Sequence, residues 1–243
     1  MLRDTADRVL AAIGLRLTHR RWMPKGTDAH LYRGIGITDP PVIFDVGANV
    51  GQTTLEFRKQ FPGAVIHAFE PVATSFERLT NNTSHIRNVH RWPVGFSDTA
   101  ERGVIILAPD SQENRIQTGP AALPSIAPTV TVDMTTLDRF SSEQGVRRID
   151  ILKSDTEGHE LQVLNGARES LRRGIVRSIL VESTLPGLSS VHVSLPAIQE
   201  LLDPFGFELF GIFDLGYRPS GKLTFFNALF SKEEAPSDAV PTR

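Results

Sequence analysis

Pro41-Val-Ile-Phe-Asp45-Val46-Gly47-Ala48-Asn49-Val50-Gly51 is an apolar run that breaks into a polar turn punctuated by two glycines. Such a run reads as a buried strand, and the turn after it as the entry to a helix. Gly47 and Gly51 let the chain turn tightly and bring a ligand close to the backbone. A helix starting after Gly51 presents unpaired N–H groups.

The pattern repeats on either side. Thr53 to Phe61 reads as a helix stopped by Pro62-Gly63, and Ala64 to Phe69 as a second strand ending at Glu70-Pro71. Val72, Phe76 and Leu79 mark a helix face, Val89 to Val94 a third strand, and Val104 to Leu107 an additional one. Ile149-Asp-Ile-Leu152 and Ser178 to Glu182 read as further core strands. Leu161, Leu164 and Leu171 predict one helix ending at Gly174, and Ile198, Leu201 and Phe205 predict another before Gly206. Phe207 to Phe213 and Leu223 to Phe230 follow as two consecutive strands. Alternating strands and helices predict a mostly parallel sheet; the last two strands predict an antiparallel pair at one edge. Leu2, Ala6, Val9, Ile13 and Leu17 keep helical spacing, so residues 1–40 read as a helical extension packed on the core or capping the site. Residues 41–232 form the main domain, and 233–243 a flexible tail. Ala108 to Pro128 has four prolines and no period, and reads as a wall of an acceptor pocket.

In a doubly wound sheet the ligand sits beyond the carboxyl ends of the strands. A dinucleotide turn needs G-x-G-x-x-G, but Asn49 stands two residues after Gly47. A carboxylate at Asp45 repels a pyrophosphate and suits a ligand bearing an ammonium group. Glu70 ends the second strand, 19 residues after Gly51, where an acidic side chain accepts bonds from ribose hydroxyls. S-adenosylmethionine carries an ammonium, a ribose and no phosphate, so it satisfies both. An NAD-dependent oxidoreductase is the rival reading, and a binding module that keeps the pocket without catalysis is another.

The bulk properties narrow the partners. A net charge of −2 over 243 residues gives no global pull toward nucleic acid or anionic lipid. With no cysteine, disulfides and thiolate metal sites are excluded, which fits a reducing compartment. Arg3, Asp4, Asp7 and Arg8 interrupt any leader-like apolar stretch, and no run is long enough to span a bilayer. A cytoplasmic enzyme is expected.

Several blocks, in order, resemble the FkbM family of S-adenosylmethionine-dependent methyltransferases. They are Phe44 to Gln52, Ala68-Phe-Glu-Pro71, Gly95-Phe-Ser-Asp98, Thr136-Leu-Asp138, Ile149 to Gly158, and Glu160 to Ala167. The resemblance implies an α/β, Rossmann-like class I methyltransferase fold: a mostly parallel seven-stranded sheet with an antiparallel edge pair and helices on both faces. It implies methyl transfer to a hydroxyl of a sugar, glycan, glycolipid or polyketide-type small molecule. It assigns Asp45, Gly47, Asn49, Gly51 and Glu70 to the cofactor, and the shared blocks add Ala48, Gln52, Pro71 and Gly95. It puts Asp155 near the reacting centre, beside the cofactor. Two places depart from the family pattern: Lys153-Ser-Asp-Thr-Glu-Gly158 replaces K-I-D-V-E-G, and Ser183-Thr184 stands where valine and histidine are common.

Methylating an alcohol requires alignment of the hydroxyl and removal of its proton. Asp155, Glu157 and His159 are the catalytic candidates, clustered after one strand. Asp155 and Glu157 could also hold a divalent cation. Glu182 and His192 are lesser candidates for the acceptor side.

Overall fold

The computed structural model describes residues 25–37, 40–108, 111, 114–116 and 128–232. Leu2 to Leu17, most of Ala108 to Pro128, and the tail from residue 233 lie outside the described residues.

The described chain runs α1 (Ala29–Gly34), β1 (Val42–Val46), α2 (Gln52–Gln60), β2 (Val65–Phe69), α3 (Ala73–Thr83) and β3 (Val89–Trp92). Next come β4 (Gly95–Phe96), β5 (Arg102–Ile106), β6 (Arg115–Ile116), β7 (Thr129–Thr135) and α4 (Leu137–Glu143). It closes with β8 (Ile149–Ser154), α5 (Glu160–Asn165), α6 (Arg168–Arg172), β9 (Val176–Ser183), α7 (Leu195–Leu202), β10 (Phe207–Tyr217) and β11 (Leu223–Lys232).

Seven strands form the main sheet in the order β10-β11-β9-β8-β1-β2-β3. β1 pairs in parallel with β2 and β8, and β8 with β9. β11 runs antiparallel to both β9 and β10, giving the expected edge pair. Side chains alternate across the sheet, so β1 feeds two cores. Phe44 and Val46 join Phe140, Val163, Leu171 and Ile198 on one face. Ile43 joins Tyr32, Phe57 and Phe61 on the other. Burying each such ring contributes about 1.5–3 kcal/mol. Helices therefore cover both faces, and the carboxyl ends of β1, β2, β8 and β9 open on one side.

Three features differ from the sequence reading. The helix expected through Leu171 is broken into α5 and α6 at Gly166, where an added Cβ would lie 2.0 Å from the Ser97 carbonyl oxygen. Asp138 then caps α6, accepting from the amides of Glu169 and Ser170. The helix expected through Phe205 ends at Leu202 and tightens into a 3₁₀ turn at Asp203–Phe205, which holds Pro204. Finally, β4, β7, β5 and β6 form a second sheet. The sequence reading placed no strand over Thr129–Thr135.

Candidate methyl-donor and acceptor site

The loop after β1 is shaped by its neighbours. Gly47, Asn49 and Gly51 all take positive φ, at 77°, 48° and 95°. A Cβ on Gly47 would lie 1.9 Å from the Asp155 carbonyl oxygen, so only glycine fits against the loop after β8. The Asp155 amide donates to Val46 O at 3.1 Å, zipping the two loops together. The amides of Gly47 and Ala48 both donate to Phe69 O.

Glu70 completes this frame. Its two carboxylate oxygens accept from the amides of Asn49 and Val72, each at 2.9 Å. The left-handed turn at Asn49 aims that amide at Glu70, and Ser111 Oγ donates to the Asn49 side chain at 3.1 Å. Burial pushes the Glu70 carboxyl up to about 7, against the pull of those two amide bonds.

A cavity of about 300 Å³ opens above these strand ends. Of the sequence-predicted residues, Gly47, Ala48, Asn49, Gln52, Glu70, Pro71, Gly95, Asp155 and Glu157 line it. Three do not. Asp45 is fully buried beneath the loop, accepting from Thr54 Oγ1 at 2.6 Å and pairing with Lys153 Nζ at 3.3 Å. Its expected contact with a ligand ammonium is replaced by internal bracing. Gly51 caps α2 from behind the loop. His159 turns away from the cavity into the interior, its Nε2 3.0 Å from Ser97 Oγ. Burial lowers its pKa to about 4, which makes it a weak base near neutrality. The role of general base expected for His159 is not supported by this placement.

The opposite wall is acidic. Asp155, Glu157 and Glu182 face the same space. Burial, reinforced by neighbouring carboxylates, pushes Glu157 up to about 8 and Glu182 to about 9. Lys153 is the buried cation among them, 3.2 Å from Asp155. Burial alone would lower its pKa, but Asp155 and Asp45 reverse that and hold it well above the usual lysine range. Glu160 braces the turn from below, accepting from the amides of Thr156 and Gly158 and from Thr156 Oγ1.

Sequence reasoning did not single out Lys153, Met134, Phe225 or Asn227, which also line the cavity. The alternation of Val130, Val132 and Met134 was the available signal for the strand carrying Met134. The departures from the family pattern have structural partners: Ser183 Oγ donates to Val193 O and Thr184 Oγ1 to Thr224 O. Ser154 Oγ is buried without a hydrogen bond.

The family model described as the methyltransferase FkbM domain matches residues 45–219. The chain belongs to the FkbM methyltransferase family. It is 30% identical to methyltransferase sdnD of Sordaria araneosa, over 74% of this chain and 78% of that one. It is 26% identical to 31-O-demethyl-FK506 methyltransferase FkbM of Streptomyces tacrolimicus, over 58% of this chain and 65% of that one. Hexuronic acid methyltransferase AglP of Haloferax volcanii is 28% identical, over 58% of this chain and 55% of its own. This FkbM-family chain is an S-adenosylmethionine-dependent methyltransferase. The groups at these strand ends fit that cofactor. Glu70 places a carboxyl at the end of β2, suited to a diol. Gly47 leaves a bare backbone beside it, and Lys153, which lines the same cavity, is held by Asp45 and Asp155 and not turned to a phosphate. Among the described residues, no helix is long and apolar enough to cross a membrane.

Proposed function

We propose that this enzyme methylates a hydroxyl of a sugar, glycan, glycolipid or polyketide-type small molecule, working in the cytoplasm without a nucleic-acid substrate. One observation carries the reading: a single cavity joins the Glu70–Asn49 cradle to the acidic wall of Asp155, Glu157 and Glu182. The relatives support an oxygen acceptor, since one is named for a 31-O position and another for hexuronic acid. A net charge of −2 disfavours a polyanionic substrate. The lack of cysteine fits a reducing compartment.

In this reading Asn49, Glu70, Pro71, Gly95 and Gln52 hold the cofactor, with Gly47 and Ala48 giving it a flat backbone floor. Bound there, S-adenosylmethionine supplies a methyl group already activated on a sulfonium. The protein's remaining tasks are alignment and proton removal. Each turnover replaces a hydroxyl proton by a methyl group, so one proton must leave the acceptor oxygen. Asp155 takes it first: it lines the cavity and stands 3.2 Å from the Lys153 ammonium. Asp45 acts through Lys153, as a positioning residue.

Calorimetric titration with S-adenosylhomocysteine tests the donor half. The expected result is one site per chain, weakened about tenfold or more in Glu70→Ala, the loss of a charge-assisted bond to the ligand. No binding by the folded chain would overturn it. Mass-spectrometric screening of hydroxylated acceptors then identifies the partner.

A further inference from the structure

Glu157, Glu182 and His192 come from three separate segments: the turn after β8, the end of β9, and the loop before α7. His192 Nε2 lies 3.3 Å from Glu182 Oε2 and 3.8 Å from Glu157 Oε2, and the three donor atoms all fall within 4.8 Å of one another. A dication with bonds of about 2.0–2.2 Å holds adjacent ligand atoms roughly 3.0–3.4 Å apart. His192 and Glu182 already have that spacing, and Glu157 stands somewhat wider.

A second observation points to an occupant. Glu182 is 6% exposed, lines the cavity, and its Oε2 makes no hydrogen bond. Buried polar oxygens are rarely left so. The nearby ammonium is committed elsewhere, since Lys153 pairs with both Asp45 and Asp155. One dication among the three groups would give Glu182 Oε2 the partner it lacks and would be shared by Glu157 and His192.

The backbone also holds the cluster in place. Glu157 takes a left-handed φ of 53°, rare for a residue with a side chain. At the next residue, a Cβ on Gly158 would lie 2.3 Å from Val191 O, so the turn presses directly on the segment carrying His192. Thr184 N and Ser183 Oγ both donate to Val193 O, tying that segment to the end of β9. His192 Nδ1 sits 2.8 Å from Ser189 Oγ, and its ring packs on Phe225 at 5.0 Å. Ser189 Oγ also accepts from the amides of Val191 and His192, which fixes the ring's Nδ1 side and leaves Nε2 directed at the carboxylates, where a metal-ligating nitrogen belongs.

We propose that Glu157, Glu182 and His192 bind one divalent transition-metal cation on the acceptor side of the cavity. Imidazole with carboxylates suits Mn²⁺ or Zn²⁺ better than a purely oxygen-seeking ion. Three protein ligands leave coordination positions open. The acceptor class that fills them offers two adjacent oxygens, as a vicinal diol or a hydroxy acid does, and its hydroxyl proton is made easier to remove. This role rests on the proposed methyl transfer in the same cavity; the cation site itself does not.

The test uses the full chain stripped with a chelator. Free Mn²⁺ is counted by electron paramagnetic resonance during titration, and Zn²⁺ binding is followed by calorimetry. One site per chain is expected, weakened about tenfold or more in His192→Gln and in Glu182→Gln, with Glu200→Gln unchanged. Circular dichroism checks each fold, and His192→Gln, in a loop, decides if Glu182→Gln fails to fold. Stoichiometric binding of neither ion, or binding unaltered in His192→Gln, overturns the proposal. S-adenosylhomocysteine titrated into the metal-free chain separates the two readings, since its binding survives loss of the cation site.

Discussion

At the scale of single residues, Lys153 does the most. Its ammonium is buried between Asp45 and Asp155, so it fixes the floor of the cavity and the charge of the wall together. Removing one partner of a buried pair leaves an uncompensated charge, a loss of about 3–5 kcal/mol. Lys153→Met is expected to destabilise the chain by that amount in urea unfolding, and adding Asp45→Asn should recover part of it. A Lys153→Met protein within about 1 kcal/mol of the parent would show that the pair does not bear on stability. The residue scale is also where the sequence was most readable at the site. Glycines, an asparagine and two acids at strand ends are local in the chain, and their chemistry follows from local geometry. Asp45 shows the boundary of that logic. Its position at a strand end was right, but whether it faces a ligand depended on Thr54 and Lys153, which only the fold brings to it.

At the scale of elements, small breaks decide placement. Gly166 lies between α5 and α6 with ordinary backbone angles, and its tolerance is purely one of space against Ser97 O. Gly174 has the reverse character: a φ of 69° and no neighbour within 4 Å of an added Cβ. Gly166→Ala is therefore expected to cost about 2–3 kcal/mol through overpacking, and Gly174→Ala about 1 kcal/mol through backbone strain alone. Equal midpoints for the two variants in denaturant would contradict this. The core strands β1, β2, β8 and β9 were legible because each is an apolar run with a polar end. The α5–α6 break was not, because Leu161, Leu164 and Leu171 keep one helical period straight across it. β7 hid behind the irregular segment that precedes it. The meeting of Glu157, Glu182 and His192 was equally hidden, since it needs residues 184–194 to fold back on the end of β9.

At the scale of the whole molecule, acid sensitivity follows from histidines that fold in neutral form. His67 on β2 lies against Phe44 and His90, each at 4.9 Å, and accepts from Trp92 Nε1. Burial, then His90, lowers its pKa to about 4. Unfolded, it titrates near 6.5. Between those values the unfolded chain binds more protons, so the stability present above pH 6.5 is lost as pH falls toward 4. Glu70, raised to about 7, contributes with the opposite sign, so the comparison must be between variants. Relative to the parent, His67→Gln should lose less stability between pH 6.5 and 4.5, read from urea midpoints. A parent–variant difference that stays constant with pH would remove His67 as the cause.

The order of the main sheet has a consequence for biosynthesis. β11 is threaded between β9 and β10, although it follows both in the chain. The strand that lines the cavity through Phe225 and Asn227 is thus the last of the sheet to leave the ribosome. Until residue 232 has emerged, β9 waits with a bare edge and β10 has no sheet to join. The nascent chain must be shielded from pairing with its neighbours during that interval.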